Sequence, residues 1–196
     1  MSDCATLAYV EKVKERLTAY FDFETPPALL KKRAQVFAHF IQTDEKYFMS
    51  RRMNLYTVNA HQYIAVGTFD RVTVNELQSV YASMQALIDT TGPTPNTMST
   101  DYTFALVARE AVDAEAVKSA LASMSYHKSF TFGWHGWADL GLIVVDPVNE
   151  RVYANRYAHK QLETVLWSFN SEPLIRPRRS LLSRLPLFKC GGCCGG

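Results

Sequence analysis

The stretch from Val72 to Ile88 fixes most about what this chain can become. Thr73, followed three residues later by Glu76, is a capping box, in which hydroxyl and carboxylate satisfy backbone N–H groups that a first helical turn leaves unpaired. Val72 and Leu77 stand at the positions of a hydrophobic staple. Leu77, Val80, Tyr81, Met84, Leu87 and Ile88 recur at helical spacing, which predicts a helix to about Asp89. Its flanks read differently. Leu55–Val58 and Gln62–Phe69 are rich in Tyr, Thr, Val and Ile around Asn59-Ala60-His61, the pattern of a β-hairpin, and Tyr102–Ala108 is a short apolar strand. A helix set between strands buries its apolar face on a sheet, so the fold class is α+β.

The remaining segments extend that scheme. Leu7, Val10, Leu17, Tyr20 and Phe21 form a helical stripe through Ala5–Phe21. Thr25 before Pro26-Pro27 is a helix start, and Leu30, Ala34, Phe37 and Ile41 continue at helical spacing to about Thr43. Asp113 caps a further helix with Val117, Ala120, Leu121 and Met124 inward. Phe130–Val145 carries Gly133, Gly136 and Gly141, so a turn at His135-Gly136 pairs Phe130–Trp134 with Trp137–Val145. A second turn, Asp146-Pro147-Val148-Asn149, leads into Arg151–Tyr157, whereas Lys160–Phe169 reads equally as helix or strand. Thr90–Thr100, with Pro93 and Pro95, is a loop long enough to act as a flap. The expected architecture is a mixed, mainly antiparallel sheet with a C-terminal three-stranded meander, covered on one face by about four helices.

At 196 residues, 47% hydrophobic and 20% charged, one such domain buries a core without disulfides or metals to hold it. The domain is expected over residues 1–169, with a flexible tail over 170–196. Net charge is +2, from 21 Lys and Arg against 19 Asp and Glu, and it is uneven. From Glu172 onward Arg176, Arg178, Arg179, Arg184 and Lys189 oppose a single acid, which leaves the body slightly acidic. Duplex nucleic acid is therefore not an expected partner, because such domains gather Lys and Arg on a folded face. Charges interrupt every apolar run before the roughly 18 residues that cross a bilayer, and Met1-Ser2-Asp3-Cys4 does not open a signal peptide. The expected location is the cytoplasm.

Two constellations bear on function. In the tail, Cys190, Cys193 and Cys194 stand among glycines at a spacing that lets thiolates share zinc or copper or hold an iron–sulfur cluster. Three ligands leave a closed site one short, so Cys4, a histidine or a second chain has to complete it. Thiol exchange with a partner protein is the alternative, and an inert tail the bland one. Basic residues among Leu181, Leu182, Leu185, Leu187 and Phe188 also suit a membrane surface, through residues 172–196. Prenylation does not fit, since Cys193, fourth from the end, is followed by Cys194-Gly195-Gly196.

The second constellation runs from Tyr126 to Leu142. Asp139 can orient His135 as a general base, Trp134 and Trp137 can stack a planar ligand, and Arg156 and His159, with His127, can gather around an anion. The competing reading makes the aromatics cross-strand packing. Asp44-Glu45-Lys46 with Arg51-Arg52 reads as a solvated loop, and His39 and His61 carry no pattern by themselves. Phosphate-binding glycine loops, a Gly-x-Ser-x-Gly elbow and a His-Glu-x-x-His helix are missing, which lowers the expectation of an enzyme.

Asp44–Ser50 and His127–Leu142 resemble a family of small, uncharacterised prokaryotic proteins, over most of residues 6 to 160. That resemblance implies a prokaryotic cytosol, brings no known activity with it, and leaves the cysteine tail outside. The sequence thus points first to a non-catalytic accessory module that presents its tail for metal, iron–sulfur or thiol exchange with a protein partner. A small-ligand or enzymatic pocket around His135 and Asp139 is the alternative, and a membrane-surface adaptor the third reading.

Overall fold

The computed structural model describes residues 2–47, 54–92, 96–130, 136–158 and 162. Helix α1 spans Ser2–Leu17, and strands β1 (Asp22–Phe23), β2 (Val36–Tyr47) and β3 (Asn54–Phe69) follow. Next come helix α2 (Val74–Thr91), strand β4 (Thr97–Ala108) and helix α3 (Ala114–Ser123). Strands β5 (Tyr126–Ser129), β6 (Trp137–Asp146) and β7 (Arg151–Ala154) and a 3₁₀ turn at Arg156–Ala158 complete the described elements. One seven-stranded sheet has the order β1-β2-β3-β4-β6-β5, with β7 also on β6. Pairing is parallel at β3–β4 and β4–β6 and antiparallel at every other junction, so the sheet is mixed and mostly antiparallel.

The parallel centre decides where the helices go. From β3 through α2 to β4, and through α3 to β6, the chain steps twice in the same direction across the sheet. Crossovers of one hand therefore place both helices on one face. Leu77, Val80, Met84, Val117 and Leu121 bury there against Phe104, Leu106, Leu140 and Leu142. The other face cannot stay bare, because β3, β4 and β6 alternate apolar residues to both sides. Tyr9, Val10, Val13 and Leu17 of α1 cover Ile64, Val66, Ala105, Val107, Ile143 and Val145. Helices thus lie on both faces, not the one expected, and the stripe of α1 is rotated so that Leu7 is exposed.

Three further expectations are corrected. Residues 36–43, read as the end of a helix, belong to β2, and the prolines before them start only single turns, such as Leu30 N–H to Pro27 C=O at 2.8 Å. Val36 and Ala38 bury toward α1 and Phe37 toward α2, so a strand buried on both faces imitates helical spacing. Asn59-Ala60-His61 is not a turn, since these residues pair with Thr43, Gln42 and Ile41 inside one long β2–β3 hairpin. The meander is replaced by a shared edge. With β4 on one side of β6, both β5 and β7 must use the other: β5 pairs Trp137–Leu140, and β7 pairs Ile143–Asp146. A strand pairs with β6 at Tyr126–Ser129, Phe130 N–H donates to Gly136 C=O at 2.9 Å, and residues 131–134 of the expected Phe130–Trp134 strand lie outside the described ones.

A shared edge leaves a gap, and Asn155 fills it. Its side-chain amide donates to Leu140 C=O (3.0 Å) and Met124 C=O (2.9 Å), while its Oδ1 accepts from Leu142 N–H (3.0 Å) and Ala158 N–H (3.1 Å). A fully buried Asn thereby uses both donors and both acceptor positions. At the end of β6, buried Asp146 accepts from the backbone N–H of Val112, Val148 and Asn149 and from the Asn149 amide, which fixes the turn into β7.

No helix among the described residues is long and apolar enough to cross a membrane. Residues 170–196, with Cys190, Cys193 and Cys194, lie outside the described ones.

Gly67 shows how closely the Leu30–Arg33 turns sit on β3: a Cβ there would lie 2.0 Å from the Arg33 carbonyl oxygen. Gly67→Ala is expected to lower stability by about 1–3 kcal/mol, read as a reduced urea midpoint at unchanged slope. An unchanged midpoint would contradict this contact.

Candidate functional site

Toward the amino ends of the parallel strands, the face under α1 changes character. Below the helix it is apolar, with Ile64, Ala105 and Ile143. Further along, Gln62 of β3 is in register with Asp101 of β4, Asp101 with Asp139 of β6, and Asp139 with His127 of β5. One row of polar side chains thus crosses four strands. Neighbouring strands are about 4.8 Å apart, so two carboxylates and an imidazole share one neighbourhood. Gln62, Asp101 and Asp139 are half-buried and His127 is exposed.

Asp139 has a defined imidazole partner. His127 Nδ1 lies 2.6 Å from Asp139 Oδ1, with 48% of the histidine side chain exposed against 16% of the aspartate. An Nδ1–H donating to the carboxylate leaves the Nε2 lone pair for a ligand, the arrangement of an oriented general base. The ring also stacks on Tyr157, with centroids 6.4 Å apart, and the Arg156 guanidinium lies 6.0 Å from the Tyr157 centroid. Of the residues singled out by sequence, Asp139 and His127 come together, Arg156 is exposed and reaches only the Tyr157 ring, and Trp137 stands half-buried on the same face as Asp139 at the start of β6. His135, Trp134 and His159 lie outside the described residues, as do the tail cysteines, and of Cys4 only its place in α1 is described.

Two contacts hold β5 where His127 can meet Asp139. On one side Asn155 bonds Leu140, the β6 residue that pairs with Tyr126. On the other, Asp89 at the end of α2 accepts from the Tyr126 hydroxyl at 2.7 Å and from Lys128. The Lys128 and Tyr126 hydrogen bonds hold the Asp89 carboxyl below its usual value. Burial, then the Asp89 bond, pushes Tyr126 up to about 12. The sequence carried a signal for this placement, because Tyr126-His127-Lys128-Ser129 alternates and faces His127 away from the α2 core.

At the opposite end, a cleft of about 530 Å³ opens between the first turns of α2 and α3, lined among others by Arg71, Thr73, Glu110 and Asp113. Its polar groups already serve one another. Arg71 reaches Glu110 Oε2 through Nε (2.9 Å) and Nη2 (2.8 Å), while Thr73 and Asp113 cap the two helices. No cluster of three or more His, Cys, Asp or Glu among the described residues is arranged to hold a metal.

These features define an α+β fold, a mixed sheet between helical layers with a polar row at one end. The chain belongs to a family described as a domain of unknown function (DUF8052), whose match runs over residues 6–166 and so takes in every strand of the sheet. No curated protein and no solved structure matches it.

In a long-range ¹H–¹⁵N spectrum His127 is expected as the Nδ1–H tautomer, and Asp139→Ala is expected to move the proton to Nε2. An Nε2–H tautomer in the unsubstituted protein would contradict the pairing.

Proposed function

We propose that the folded body is a small-ligand-binding domain whose reactive group is His127, held by Asp139. One observation carries this reading: a carboxylate-bound imidazole, half open to solvent, in register with a second carboxylate. Structural histidines are usually enclosed and bonded through both nitrogens. This pair instead leaves His127 half open at the end of the row that Asp139 and Asp101 share. Such a pair suits a small polar molecule with an amine or a hydroxyl, from which His127 Nε2 can accept a hydrogen bond or a proton while Asp139 holds the ring. A cytoplasmic setting belongs to the same proposal.

The tail-centred reading, with Cys190, Cys193 and Cys194 serving metal or thiol exchange, draws on residues beyond both the family match and the described ones. Metal analysis of the full chain and of residues 1–170 separates the two. Stoichiometric zinc, copper or iron lost with the tail would favour the tail, and neither form holding metal would favour the body.

The direct test is a panel of amino acids, amino sugars and polyamines screened by thermal shift. Compounds that raise Tm by about 2 °C or more are expected, with the affinity reduced about tenfold or more in His127→Gln and Asp139→Asn. Hits indifferent to both substitutions would overturn the assignment, as would a panel with no hit.

A further inference from the structure

The opposite face carries a second imidazole arrangement that the polar row does not use. His39 of β2 pairs directly with Tyr63 of β3, and Tyr63 with Tyr102 of β4. Their rings stack in sequence, with centroids 4.1 and 4.8 Å apart and planes within 11°. Beside this ladder runs a hydrogen-bonded chain. Glu24 Oε1 lies 3.2 Å from His39 Nδ1, and His39 Nε2 lies 2.9 Å from His61 Nδ1. His61 is 8% exposed, and its Nε2 is buried without a hydrogen-bond partner among the described residues.

The proton positions follow from the carboxylate. Glu24 can only accept, so His39 Nδ1 carries a proton. If His39 is neutral, its Nε2 is a lone pair, His61 Nδ1–H donates to it, and His61 Nε2 is bare. A buried nitrogen without a partner is far less costly as a lone pair than as an unpaired N–H⁺. Among the described residues, the other titratable groups on the face of His61 are Tyr63 on its own strand and Tyr102 on β4. Burial first, then Tyr102 and Glu24, pushes Tyr63 up to about 12, and burial raises Tyr102 too, so both stay neutral phenols. α2 contributes Thr91, which bonds Tyr102, while its Asp89 is turned to Tyr126 and Lys128.

We propose that Glu24, His39 and His61 form a proton relay that makes this end of the sheet acid-sensitive. A proton taken up at His61 Nε2 releases the Nδ1 proton to His39 Nε2, and the positive charge comes to rest on His39 beside Glu24. No bond other than N–H changes, and one proton enters from solvent. The cost falls on His61, which now holds a buried N–H with no acceptor among the described residues, so proton uptake loosens β2 from β3. Burial, then His39, lowers the His61 pKa below its ordinary 6.5. The neutral pair therefore contributes stability that is complete above about 6.5 and is lost as pH falls through the lowered folded value.

Two measurements on the full chain test the relay. At pH 7.5 the imidazole ¹⁵N spectrum is expected to show His61 protonated at Nδ1 only. At pH 5.0 it should carry its proton on Nε2, with His39 protonated at both nitrogens. His61→Phe keeps the ring and removes the relay, so its fall in Tm between pH 7.5 and 5.0 is expected to be smaller than that of the unsubstituted protein by roughly 2–4 °C. An Nε2–H tautomer at pH 7.5, or equal pH dependence in both proteins, would overturn the proposal. Should His61→Phe not fold, the tautomer spectrum decides alone.

Discussion

The side chain of Asn155 is the contact on which the arrangement of this sheet most depends. β6 must serve two short strands along one edge, and where β5 stops and β7 has not begun, Leu140 C=O and Leu142 N–H would face each other's missing partner. A primary amide has one donor group and one acceptor group, and those of Asn155 bond both. The same residue bonds Met124, just past α3, and Ala158 in the last turn. One side chain thus joins the end of a helix, the gap in a sheet edge and the chain's exit. Burial makes each bond matter, because a polar group stripped of its partner there has no water to replace it.

The proposed His127–Asp139 site depends on that closure. β5 is four residues long and could not hold its own register, yet His127 meets Asp139 only if Tyr126 is level with Leu140. Asn155 fixes one side of this register and the Asp89–Tyr126–Lys128 contact the other. The polar row is then a consequence of the parallel centre. β3, β4 and β6 begin at staggered residues, but their register brings Gln62, Asp101 and Asp139 to one level, beyond the reach of α1. The family match ends at residue 166, so it includes these parts and excludes the cysteines of the tail.

What could be read from the sequence was local. α2 and α3 were legible because their starts are encoded in side chains next to the backbone they cap, Thr73 on Glu76 N–H and Asp113 on Ala116 N–H. β2 was not. Its apolar residues face two cores, and an unbroken apolar strand cannot be told from a helix until its partner is known. Asn59-Ala60-His61 has turn-like composition, yet it lies in the middle of β3 because twelve residues of β2 pair along it. The same limit governs the candidate sites. Asp139 drew attention as a carboxylate near histidines, but its imidazole comes from residue 127, twelve positions away and across a strand pair. His39 and His61 are 22 residues apart, and nothing short of the hairpin register brings them together.

Whether Asn155 holds the divided edge of β6 can be read from amide hydrogen exchange. In the unsubstituted protein Leu142 and Ala158 N–H are expected to exchange with the slow core. In Asn155→Leu, which keeps the volume but none of the four bonds, exchange should accelerate at Leu142, Ala158 and the β5 amides while the β3–β4 centre stays protected. Fast exchange at Leu142 in the unsubstituted protein would rule out this role for Asn155, as would protection of β5 unchanged by the substitution.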